Sequence, residues 1–173
     1  MTISSSADLT YSNIFSQSHA NIYNLINNRS NVPNPVDSLG TRKFVYTREP
    51  RDLGISFTGF PVIIIPPIEQ NQKNLTVDAT KSTVNLVCRI VVIAVDVGGP
   101  RNATATGAEQ LDTISNNILK TLNDKTNRST LRNQGMKNFQ VNSSPAEYEE
   151  GHDQMLFIRE FTITYSQVLE ITA

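Results

Sequence analysis

The sequence predicts an α+β fold: a mainly antiparallel sheet with an N-terminal helix and a second helix packed on one face. Three observations carry that reading. Residues 11–26 and 108–124 place apolar side chains at three- and four-residue intervals, the period of an amphipathic helix. Residues 82–97 and 154–171 alternate with period two, as half-buried strands do. No regular succession of strand and helix joins these segments, so parallel crossover units are not the organising motif.

The first helix has the stripe Tyr11, Ile14, Phe15, Ile22, Leu25 and Ile26. Asn27, Asn28, Ser30, Asn31, Pro33, Asn34 and Pro35 then compete with helical hydrogen bonding and form a loop. A short strand is expected at 43–47. Pro61-Val-Ile-Ile-Ile65 is a β-branched run ended by Pro66-Pro67, which lack the N–H groups a ladder needs. Residues 69–81 read as a polar loop. In 82–97, Val84, Leu86, Cys88, Ile90, Val92 and Ala94 share one face, and Asn85, Val87, Arg89, Val91, Ile93 and Val95 the other, which is apolar from Val91 onward.

Gly98-Gly99-Pro100 ends that strand, and Thr106-Gly-Ala-Glu109 has the spacing of a capping box, where each side chain satisfies a free amide at a helix start. The stripe of the second helix is Leu111, Ile114, Ile118, Leu119 and Leu122. Residues 123–138 read as a polar connection, 139–142 as a short strand and 143–153 as an acidic loop. In the closing strand, Met155, Phe157, Phe161, Ile163 and Tyr165 alternate with Ile158, Glu160, Thr162 and Thr164.

A chain of 173 residues and 19.2 kDa fits one domain, 1–173, with long loops at about 31–59 and 125–138. Charged residues make up only 18%, and Asn, Ser and Thr fill the gap. A net charge of -1 and a pI near 6.1 give no global attraction to nucleic acid or an anionic membrane, so any electrostatic role must come from local placement. The start, MTISSSADLT, has neither the basic region nor the apolar core of a signal peptide, which points to a protein kept in a cytoplasm. In that setting the five Asn-x-Ser/Thr sequences, at Asn28, Asn74, Asn102, Asn127 and Asn142, reflect composition and not glycosylation. Cys88 alone cannot form an internal disulfide and sits in an apolar run, where a thiol acts as a small hydrophobe.

Chemistry-bearing patterns are few. His19 falls on the polar side of the first helix and His152 in the acidic loop, so both are expected in solvent. Glu147, Glu149, Glu150, His152 and Asp153 form the densest charge group, yet their spacing fits no EF-hand loop. Gly98-Gly99-Pro100-Arg101 lacks the Gly-Lys-Ser/Thr ending of a P-loop and the Gly-x-Gly-x-x-Gly dinucleotide spacing, and is read as a turn. Neither a Gly-x-Ser-x-Gly elbow nor His-Glu-x-x-His occurs. The expectation is a protein without catalytic residues, metal or cofactor.

The order of elements, with Phe60-Pro61-Val-Ile-Ile-Ile65, the long strand 84–97, the helix 108–124 and Phe157-Ile-Arg-Glu-Phe-Thr-Ile-Thr-Tyr165, resembles the tail terminator proteins of tailed phages over about residues 11–171. The resemblance implies a structural virion protein of the tail or neck, assembled in the host cytoplasm. Six copies of it would form a ring that caps the tail tube, stops its polymerisation and docks the head connector. Its partners would be further copies of itself, the tail tube protein and a head-completion or connector protein. DNA would pass through the lumen without sequence-specific binding, and no membrane would be involved. A head-completion adaptor or another tube-like ring protein is the alternative, and a small ligand-binding or enzymatic domain a third. Sixteen residues at 82–97 would reach roughly 50 Å, against a diameter near 40 Å for a compact globule of this size, so either the strand bends at a bulge or its ends protrude and their apolar two-faced segment needs a neighbouring chain to cover it. Val91, Ile93 and Val95 are the candidate subunit interface, and Glu147, Glu149, Glu150 and Asp153 a candidate lumen or ring-edge loop.

Overall fold

Two long strands form the axis of the molecule. In the computed structural model, which describes residues 14–37, 43–48, 59–78, 81–97, 106–150 and 154–170, β4 (Lys81–Val97) and β7 (Gln154–Glu170) run antiparallel. All 17 residues of each are paired, from Lys81 opposite Glu170 to Val97 opposite Gln154, without a register shift. At the usual rise such a pair reaches about 56 Å.

The other strands line the two outer edges of this pair. β2 (Val62–Ile64) and β3 (Glu69–Asp78) follow one another along β4, with Val62 opposite Ile93 and Glu69 opposite Val87. β5 (Met136–Ser143) and β6 (Glu147–Glu150) do the same along β7, with Met136 opposite Gln167 and Glu147 opposite Ile158. β1 (Val45–Tyr46) extends the sheet beyond β2 and is the parallel member. All other described pairings are antiparallel, so the fold is α+β with a mainly antiparallel sheet.

The helices pack on one face of this sheet. Ile14, Ile22 and Ile26 of α1 (Ile14–Ile26), Leu111, Ile114, Ile118 and Leu122 of α2 (Gly107–Asn123) and Leu131 of α3 (Lys125–Asn133) bury against Val84, Leu86, Cys88, Ile90, Val92 and Ala94 of β4. Phe161, Ile163 and Tyr165 complete the core from β7. Each large side chain so buried contributes about 1.5–3 kcal/mol. Phe15, placed by periodicity in the α1 stripe, is instead exposed, and Tyr11 lies outside the described residues.

Local chemistry sets the helix ends. The capping box is present: Thr106 N donates to Glu109 Oε2 at 2.8 Å and Glu109 N to Thr106 Oγ1 at 3.3 Å. Asp124 ends α2 in extended backbone and caps α3, its carboxylate accepting from Thr126 N at 2.9 Å and Asn127 N at 3.0 Å. Gly135 (φ 88°) terminates α3 in the left-handed region, which a side chain would strain. Asn138 (φ 53°) then forms a bulge that shifts the register of β5 between Lys137 and Gln140.

Three stretches expected as loops are regular structure. Residues 69–81 hold β3, residues 125–138 hold α3 and the start of β5, and residues 143–153 contain β6. Edge strands and a helix with one buried side chain, Leu131, need little apolar periodicity, because backbone pairing and a single anchor hold them. Glu147, Glu149 and Glu150 thus belong to a strand, while Asp153, His152 and 98–101 lie outside the described residues.

The start of α2 tolerates no side chain at Gly107. A Cβ there would sit 2.8 Å from Phe157 Cδ2, 2.9 Å from Asp96 N and 2.9 Å from Val95 C. Gly107→Ala is expected to destabilise the fold by about 1–3 kcal/mol in urea denaturation. Adding Phe157→Ala should not recover this loss, because two of the three contacts are backbone. Unchanged stability of the single variant would overturn this account of the α2–sheet packing.

Candidate functional site

Because β4 alternates, the residues opposite its helix-packed face form a second surface, the open face. Glu160, Ile158 and Leu156 of β7 stand there across from Val91, Ile93 and Val95. Val62 and Ile64 of β2 lie opposite Ile93 and Val91 on the same side. Tyr46, Val62 and Ile64 form a small buried cluster with half-buried Phe60, Val91 and Ile93, to which no residue of the three described helices contributes. Val95 is buried within the subunit, at 7% exposure. Of the three residues expected at an interface, Val91 and Ile93 therefore remain half-exposed, joined by Leu156 and Ile158.

The open face changes character along the strands. Arg89 Nη2 lies 3.7 Å from Glu69 Oε2 and its Nη1 3.7 Å from Glu160 Oε1, linking three strands through side chains that are largely solvated. At that exposure such pairs contribute little to stability. Toward β6 the face is apolar, and Glu147 and Glu149 stand opposite Ile158 and Leu156. An apolar centre with a charged rim is the common anatomy of a protein–protein contact. Glu150 is placed opposite Met155, and Tyr148 opposite Phe157 on the helix side, where Tyr148 is 73% exposed.

Leu156, Ile158 and Tyr148 escape sequence reasoning because their place depends on cross-strand register, which no local pattern encodes. His19 differs from expectation: it is half-buried, its Nε2 donates to the Ile65 carbonyl at 2.9 Å, and its ring stacks on Tyr23 at 6.0 Å. It joins α1 to the segment after β2 in place of meeting solvent. Among the described residues, no group of three or more His, Cys, Asp and Glu is placed to hold a metal ion. No helix of the described residues is long and apolar enough to cross a membrane.

Two buried titratable groups lie on the helix-packed face. Burial pushes the pKa of the Cys88 thiol up to about 12. Burial also raises the Tyr165 phenol, with Ser18 beside it acting in the opposite direction. No protein-family model matches the chain, and no curated protein matches it significantly.

Both groups are neutral in the fold, so stability is complete below their unfolded values. It should fall as pH rises above about 8.5–9, where the unfolded thiol ionises and the buried one does not. Iodoacetamide should leave Cys88 unlabelled in the native protein at pH 8 and modify it fully in urea. Stoichiometric labelling under native conditions would contradict the burial of this residue.

Proposed function

We propose that the protein is a structural ring subunit of a tailed-phage virion, a tail terminator that closes the tube, stops its polymerisation and docks the head connector. The observation that carries this reading is the unbroken β4–β7 ladder, 17 residues on each strand. Its open face keeps Val91, Ile93, Leu156 and Ile158 half-exposed at one end. A ladder of about 56 Å exceeds the diameter of roughly 40 Å of a compact chain this size. Tyr46, Val62, Ile64 and Val95 on this side are buried within the subunit, and the partly exposed apolar residues beside them would be the ones a neighbouring subunit covers. The station at the tube end and the number six rest on the order of elements, which resembles that family. Tail tube protein and head connector are then the partners above and below the ring, with DNA passing through the lumen without sequence-specific contact.

Native mass spectrometry of the full chain, and imaging of assembled particles, should find a cyclic oligomer of six. One copy per particle would overturn the reading. Ile158→Asp places a charge in the apolar patch and should raise the concentration needed for assembly on the order of tenfold or more, while circular dichroism of the subunit is unchanged. Assembly at the normal concentration would remove the open face from the subunit contact.

A further inference from the structure

Charge is sorted along the outer edge of β7. Residues 125–143 contain four basic residues and no acidic one, and residues 144–153 contain four acidic residues and no Lys or Arg. The structure places the described members of these two groups at opposite ends. Lys125 and Arg132 lie on α3 seven positions apart, hence on the same solvent side, and Lys137, second in β5, stands opposite Ser166 on the other face of the sheet. Glu147 and Glu149 lie on β6 opposite Ile158 and Leu156. From Leu156 to Ser166 the ladder runs about 33 Å, several Debye lengths at physiological salt, so the two ends do not neutralise each other within one subunit.

All five of these side chains are exposed, and none makes an ion pair with a described residue. Arg128, the fourth basic residue, is used internally. It bonds the Leu122 carbonyl at 3.1 Å and Asn123 Oδ1 at 2.7 Å, and lies over the Phe139 ring. Tyr148, on the same strand but on the helix side of the sheet, is the most exposed of the large apolar side chains described. Between the ends, Pro145 has no N–H and Asn138 sits in a bulge, so a foreign strand cannot pair continuously along this edge. Recognition here falls to side chains.

We propose that the acidic end of one copy, Glu147 and Glu149, docks against the basic end of the next copy, Lys125 and Arg132. This contact rests on the ring reading above and names the surfaces that would join its subunits. A second copy is the fitting occupant because one chain carries both surfaces, opposite in sign. A contact of unlike surfaces is head-to-tail, and it repeats from subunit to subunit until a ring closes. An exposed ion pair alone contributes little; complementary pairs of this kind set the direction and register of a contact more than its strength.

Charge reversal on the full chain tests this by light scattering and native mass spectrometry. Glu147→Lys with Glu149→Lys, and separately Lys125→Glu with Arg132→Glu, should each raise the assembly midpoint by about tenfold or more. The fourfold variant carrying both swaps, and an equimolar mixture of the two double variants, should return to within about threefold of the original. The original protein should also assemble less readily as salt rises. Rings that form normally in both double variants would overturn the proposed contact and leave the ring reading standing. Assembly that stops at a two-fold dimer would overturn the head-to-tail arrangement. A chain that stays monomeric at every concentration and salt would overturn both.

Discussion

The in-register pairing of β4 with β7 sets the position of everything else. Side chains alternate across a sheet, so this register decides which residues meet the helices and which form the open face. With Ile90 opposite Phe161 and Cys88 opposite Ile163, the largest core side chains stack under α1 and α2. A slip of one residue would turn Phe161 and Ile163 outward and bring Glu160 and Thr162 beneath the helices. The core therefore defends the register, and the register in turn delivers Val91, Ile93, Leu156 and Ile158 together on the other side.

That coupling explains why the open face is not simply a solvated back. Each strand must be apolar on its helix side, and on the other side Ile93 packs against the small cluster of Tyr46, Val62 and Ile64 while Ile158 stands across from it. β1 and β2 extend this surface sideways, where Tyr46, Val62 and Ile64 are buried, beside the half-buried Val91, Ile93, Leu156 and Ile158. The same face turns ionic at Arg89, Glu69 and Glu160. The apolar part is thereby confined to one end of the face.

Sequence alone reveals the elements whose stability comes from burial, and misses those held by the backbone. Strand 82–97 is legible because six alternate residues are apolar, and α2 because its stripe and capping box agree on the same start. The polar strand β3 leaves no such trace, since its edge position demands ladder hydrogen bonds but few apolar side chains. α3 is hidden for a related reason: Leu131 is its one fully buried side chain, and Asp124 supplies the cap from a position that also reads as the end of α2. At the site, the apolar upper half of β4 is visible in the alternation, but its partners on β7 are not. The carbonyl that His19 binds lies 46 residues away in the chain and is equally out of reach of helix periodicity.

The placement of the acidic residues turns on one local exchange. Ser144 N donates to the Glu160 carbonyl at 2.8 Å, while Glu160 N is taken by Ser144 Oγ at 3.0 Å, where a regular ladder would use the Ser144 carbonyl. Freed from the ladder, the chain passes through Pro145 and resumes pairing one residue out of step. Ser143 is opposite Phe161, but Glu147 is opposite Ile158, not Phe157. Because a shift of one residue turns a strand over, this step decides what each face of β6 carries. In the unshifted register Tyr148 would face the open side, and Glu147 and Glu149 would lie on the helix side toward Asp112, where Arg159 already pairs at 3.0 Å. The observed register avoids that gathering of like charges. It sets the glutamates as a rim around the apolar end of the open face, and leaves the tyrosine projecting beside Phe157. One ladder bond taken over by a serine hydroxyl thus determines which face of the sheet carries the glutamates of this edge.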